Sequence, residues 1–171
     1  MGHPGLARRR IEPAGAVEHE HVAGPVRYAV IPPIGGSHNA VWLNAGIYDR
    51  PVASERAVHD MEHGAVWITY DPALPASQIV ELRTFVHRQT VPGTTTVLHN
   101  RYIVMSPWDS ADLPAPIVIS SWGHQLRVSS PDDPRLQSFV DTFRTSRTYS
   151  PELGEPVDGV PIATGGRPFS D

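Results

Sequence analysis

The sequence predicts an α+β domain, with a small mixed or antiparallel sheet of about four strands and three helices packed on it. Three observations carry that expectation. Short apolar runs of strand length recur at 65–70, 101–106 and 116–121. Stretches with helical spacing of apolar residues lie before, between and after them. Eighteen prolines and fourteen glycines punctuate the 171 residues, so the elements are short and the loops shaped.

Residues 1–24 are polar and charged, with Arg8-Arg9-Arg10 and Glu18-His19-Glu20-His21, and read as a flexible N-terminal arm. Val26 to Val30 alternates like a short strand that Pro32-Pro33 ends. The paired Gly35-Gly36 then let backbone approach closely, and His38 stands at the tip of that loop. Trp42 to Tyr48 is an aromatic-flanked segment closed by the turn Asp49-Arg50-Pro51. Ser54 is the predicted N-cap of a first helix running to His63, with Glu55 in its first turn. Gly64 stops that helix and the strand 65–70 follows. A second helix spans 75–88, with Ile79, Leu82 and Val86 as its apolar stripe. Strands follow at 101–106 and 116–121, and Trp122-Gly123 turns the chain into a hairpin partner at 125–129. Asp133-Pro134 opens a third helix, in which Leu136, Phe139, Val140 and Phe143 keep a 3.6 period. The expected organisation is one domain over 25–148 and a Pro/Gly-rich tail over 149–171, without internal repeats.

Composition excludes several function classes. A formal charge of −4, a pI near 6.1 and no basic stripe argue against a nucleic-acid partner. With no cysteine, thiolate metal sites, iron–sulfur clusters, disulfides and cysteine nucleophiles are ruled out. No G-x-S-x-G elbow is present, and Gly35-Gly36 is followed by loop, so neither a serine hydrolase nor a phosphate cradle is expected. No stretch has the length of a membrane span and Met1 to Arg10 lacks an apolar core, so the expectation is a cytoplasmic chain.

The chemistry concentrates in His59-Asp60-Met61-Glu62-His63-Gly64. Histidines four apart share one helix face, and imidazole is the commonest protein ligand for borderline transition metals. His38 is the natural third ligand. The plainer alternative makes the pair last-turn residues that favour the helix dipole.

These residues carry a resemblance. The chain resembles, over roughly 21–154, the bacterial family catalogued as domain of unknown function 3105. It does so in His21-Val22, Val26-Arg27-Tyr28, Pro32-Pro33-Ile34-Gly35-Gly36-Ser37-His38, Gly46-Ile47-Tyr48-Asp49, the run from Val58 to Tyr70, and Ser121-Trp122-Gly123. The resemblance implies that His38, His59, Glu62 and His63 belong to a shared pattern, and that relatives are exported or membrane-anchored. It also implies a cysteine at the position of Ala45 and another in the tail. Their absence here fits a reducing compartment. Met61 stands where the family implies Leu, and His124 where it implies Arg.

The expected function is therefore a histidine-ligated mononuclear metal site built from His38, His59 and His63. Met105 adds a thioether that favours copper, with zinc or iron as alternatives. Met61, two residues from each histidine, faces away from them and into the core. Glu62 is the catalytic candidate, orienting an imidazole or a bound water and moving a proton. A copper-dependent oxidoreductase acting on a small-molecule substrate is the first reading. A non-catalytic metal-binding or interaction module is the second. The H-x-x-E-H pattern of a zinc hydrolase comes third, since no second helix supplies an acidic ligand.

Overall fold

A computed structural model describes residues 19–89 and 102–161. They form three helices and a five-stranded mixed sheet, an α+β fold close to the expected one. The elements are β1 (Gly46–Ile47), α1 (Ser54–Glu62), β2 (Val66–Tyr70), α2 (Ala76–Arg88), β3 (Ile103–Pro107), β4 (Ile117–Ser121), β5 (His124–Val128) and α3 (Arg135–Phe143). The sheet order is β1-β3-β2-β4-β5. β1 and β2 both run parallel to β3, while β2–β4 and β4–β5 are antiparallel.

This order explains where the helices lie. The connection β1–α1–β2 crosses the sheet in one direction and β2–α2–β3 returns in the other. Two crossovers of the same hand must then place their helices on opposite faces. Strand alternation agrees. Val66, Ile68, Tyr70, Ile103, Met105, Ile117 and Ile119 pack with Leu82 and Val86 of α2 and Leu136, Phe139 and Val140 of α3. Trp67 and Val104 point the other way, to Ala57, Val58 and Met61 of α1, with Leu43, Tyr48 and Trp122. On that face the Trp67 indole N–H donates to Ser106 Oγ at 3.0 Å.

α1 is unusual in being buried all round from Ala57 to Glu62. Its apolar side meets the sheet, and its outer side is covered by irregular chain from 19–44 and 145–160. Glu55 Oε1 accepts the Val26 N–H at 2.8 Å, and Arg56 donates to the Trp42 carbonyl at 2.7 Å. Beyond the helix, Thr145 N–H donates to Gly64 O at 2.8 Å and Glu152 N–H to Glu62 O at 3.0 Å.

Several expectations change. Val26 to Val30 is not a strand. It lies beside α1, where a side chain satisfies the Val26 N–H, and no sheet edge is there to receive it. The fifth strand instead comes from Gly46–Ile47 inside the aromatic-flanked segment, where Tyr48 N–H donates to Met105 O at 2.8 Å. Ser54 is the first helical residue and Ala53 the cap, without a side-chain cap bond. Leading residues 1–18, the end of the tail from 162 and the start of the third predicted strand at Arg101 lie outside the described residues. Among the described residues no helix is long and apolar enough to cross a membrane.

Gly64 is where α1 must turn into β2, at φ +108°, which L residues rarely adopt. A Cβ there would stand 3.2 Å from Leu153 Cδ1 and 3.3 Å from Thr145 Cα. Gly64→Ala is expected to destabilise the fold by about 2–3 kcal/mol in urea unfolding, from strain plus contact. An unchanged midpoint would show that the 145–153 segment does not close on the helix end.

Candidate metal centre

The site grows from the outer face of α1, where His59 and Glu62 stand one turn apart and His63 follows as the helix cap. The glycine loop meets this face. Gly36, at φ +116°, lies against the Tyr28 ring, and the Tyr28 hydroxyl donates to Ser37 O at 2.8 Å. Gly123 N–H, at the tip of the β4–β5 hairpin, holds the same loop through Ile34 O at 2.6 Å. His38 is thereby brought to the helix, fully buried.

The N-terminal segment closes the third side. His38 N–H donates to Glu20 O at 2.9 Å and His38 O accepts Val22 N–H at 2.8 Å, a one-residue parallel bridge between His21 and His38. The His21 ring centroid lies 5.0 Å from those of both His38 and His59. One ligand atom from each of His21, His38, His59 and Glu62 falls within a single group, all within 4.8 Å of one another. A second group, formed by Glu62, His63 and Glu152, shares the same carboxylate. Trp42 stands 5.5 Å from the rings of His59 and His63, and Trp122 lies 6.1 Å from His38, as aromatic walls.

The imidazoles are oriented by backbone. His38 Nδ1 bonds Gly36 O at 2.9 Å, His59 Nδ1 bonds Asn39 O at 2.7 Å, and His63 Nδ1 bonds Pro156 O at 2.7 Å. A carbonyl can only accept, so each Nδ1 carries the proton and each neutral ring keeps its lone pair on Nε2. This is how metal-binding histidines are commonly held. Among the described residues, His38 Nε2, His63 Nε2 and both Glu62 oxygens are buried without a hydrogen-bond partner of good geometry.

His38 Nε2 and Glu62 Oε2 stand 2.9 Å apart. Two ligands about 2.1 Å from one ion at a right angle stand about 3.0 Å apart, so this edge already has the size of a coordination polyhedron. Without an ion, the pair is held by charge. Burial opposes a charged His38, but the Glu62 carboxylate and the Gly36 carbonyl outweigh it and raise the pKa. Burial likewise opposes a charged Glu62, yet His38, His59 and His19 lower its pKa overall. His59 goes the other way. Burial first, then the neighbouring His63 and His38, take it down to about 4 despite its bond to Asn39 O. Asp60, on the same helix, accepts Leu43 N–H at 2.9 Å, and burial pushes it well above the carboxylate range.

Against the expectations, His38 and His59 come together as foreseen, and His63 stands beside them in the second group. Glu62 is among the donor atoms themselves rather than behind them. Met105 is not brought to the site. It shares the α2–α3 face of the sheet with Ile68 and Ile103, opposite α1, because strand alternation gives Val104 and Ser106, not Met105, to the α1 side. Met61 packs on Trp67 in the core, as expected, and His124 stacks on Phe143 at 4.4 Å. His21 and Glu152 are the residues that the sequence left out of the ligand set. His21 stood in an acidic–histidine cluster and inside the family resemblance, which let it close over the site without making it a ligand, and nothing local marks Glu152.

In metal-free protein the two buried imidazoles should therefore titrate apart. Nitrogen NMR is expected to show His59 neutral down to about pH 4, while His38 gains its proton above the ordinary 6.5. A bound metal must displace the proton from His38, so affinity should fall as pH drops through that raised value. Joint titration of both rings near 6.5 would contradict the described geometry.

A model of the family described as protein of unknown function (DUF3105) matches residues 19–159. No curated protein and no solved structure matches the chain. The matched span starts at the histidine that touches Glu62 and runs past Glu152, so it takes in every residue of both groups. The chain belongs to the DUF3105 family.

Proposed function

We propose that this protein binds a transition-metal ion through His21, His38, His59 and Glu62. The observation that carries the reading is the gathering of these four donors within 4.8 Å. Two of the rings are fixed by backbone carbonyls with Nε2 left to ligate. A carboxylate buried at the C-terminal end of a helix supports it further. There the helix dipole repels negative charge, and among the described residues the side chains paired with Glu62 are His38 and His19. A divalent cation would relieve that repulsion.

Three imidazoles and one carboxylate suit copper(II), zinc(II) and iron(II). With Met105 on the far side of the sheet, the thioether argument for copper(I) no longer applies, and copper rests on the imidazoles alone. Four protein donors leave a five- or six-coordinate ion one or two open positions. That is room for water, O₂ or a small substrate, and so for the oxidoreductase reading; Glu62 is then the group nearest to exchange a proton. An ion confined to four protein donors with no open position would be the non-catalytic reading.

The test is elemental analysis of protein purified without a histidine tag and loaded with copper, zinc and iron in competition. At least one equivalent of metal is expected in the parent. His38→Ala and His59→Ala should each weaken binding by more than about a hundredfold, beyond the cost of losing an outer hydrogen bond. Circular dichroism should show both variants folded. A folded parent that takes up no metal ends the proposal.

A further inference from the structure

The geometry points to a second metal ion beside the first, with Glu62 bridging the two. This rests on the metal reading above and extends it from one ion to a pair. The first ion would use His21, His38, His59 and one oxygen of Glu62. The second would use the other Glu62 oxygen, His63 and Glu152.

Three observations meet at the second position. His63 is nearly fully buried, and its Nδ1 is committed to Pro156 O at 2.7 Å. Its Nε2 therefore presents a lone pair, and it has no hydrogen-bond donor. Glu152 Oε2 stands 3.6 Å from that nitrogen, too far for a hydrogen bond and about the separation of two ligands on one ion. Both Glu62 oxygens are buried without a good hydrogen-bond partner, although only Oε2 faces His38. A carboxylate serving one ion would leave its second oxygen in need of a donor. The exposed His19 stands 3.3 Å from Oε1 without closing it off from solvent-side ligands.

The segment carrying Glu152 is not loosely placed. Glu152 N–H donates to Glu62 O at 3.0 Å, so the backbone of one acidic residue is fastened to the backbone of the other. The Glu152 side chain is half-exposed, which puts the second ion on the solvent side of the first. Three protein donors leave it open to water, as in catalytic sites generally. Two divalent ions against two carboxylates leave a positive balance. A hydroxide or an anionic substrate oxygen held between ions about 3.5–4 Å apart would satisfy it. The substrate class that fits is therefore a small molecule with an anionic or easily ionised oxygen, able to bridge both ions. Two carboxylates and one imidazole also make the second position harder than the first, which disfavours copper(I) there.

Copper(II) titration of the tagless, full-length protein tests this, read by elemental analysis and electron paramagnetic resonance. Two equivalents are expected in the parent, with spin coupling between them. Glu152→Gln, a change at a half-exposed side chain, should hold one equivalent and give an uncoupled signal, as should His63→Ala. His38→Ala should lose the first ion. One equivalent in the parent, untouched by Glu152→Gln, would overturn the bridge and leave the single-ion reading standing. Two equivalents that both persist in Glu152→Gln and His63→Ala would also overturn it. No copper in the parent would remove both readings together.

Discussion

The Glu62 carboxylate governs this structure. It is 1 % exposed, at the last residue of α1, where helix carbonyls already concentrate negative charge. A carboxylate so placed costs several kcal/mol unless positive charge comes to it. What comes to it is histidine: His38 at 2.9 Å and His19 at 3.3 Å, with His59 one turn back on the same helix. The surrounding chain can be understood as the machinery that holds those rings. Glycines aim the loop, the hairpin tip pins it, and backbone carbonyls fix the tautomers.

The sheet makes such a site possible by leaving α1 alone on its face. The two opposite crossovers send α2 to the other side, where α3 joins it over an apolar core. Among the described residues, α1 thus has one side for the sheet and one side free of helical neighbours. Irregular chain can satisfy polar groups there that a third helix would have left unpaired. Ala45 shows how closely that chain is drawn in. It packs with Ala65 and Val157 and donates its N–H to Val157 O at 2.7 Å. The family resemblance implies a cysteine at this position and another in the tail. Here small apolar contacts and hydrogen bonds hold the C-terminal segment instead.

Periodicity made most of the fold legible. β2, α2, β4, β5 and α3 follow runs whose spacing admits one reading, and Gly64 marks the end of α1 as it should. Val26 to Val30 misled because alternation shows that a segment can pair, not that a partner stands beside it. Met105 misled for a related reason. Alternation tied it to Ile103, but the face they share depends on register with β2, which no local pattern encodes. The helical half of the site was legible, since His59 and Glu62 are fixed by helix geometry. His21 was legible only as a residue that could close over the site and Glu152 not at all, because they sit in segments whose composition resembles that of free ends and whose positions are set by long-range backbone bonds.

Those long-range bonds also set an order of events. The His63 to Pro156 bond spans 93 residues, and the Asn44 to Val160 bonds span 116. Such closures are entropically slow and come after the local hairpin and helices have formed. A ribosome delivers Glu152 after every other residue of the two groups. While it is still in the exit tunnel, α1 lacks part of its cover and the site lacks one acidic arm. The nascent chain therefore passes through a stage with a helix pair of histidines and no closed pocket. On the proposed metal reading, selective capture of an ion waits until the Glu152 segment has closed on the helix.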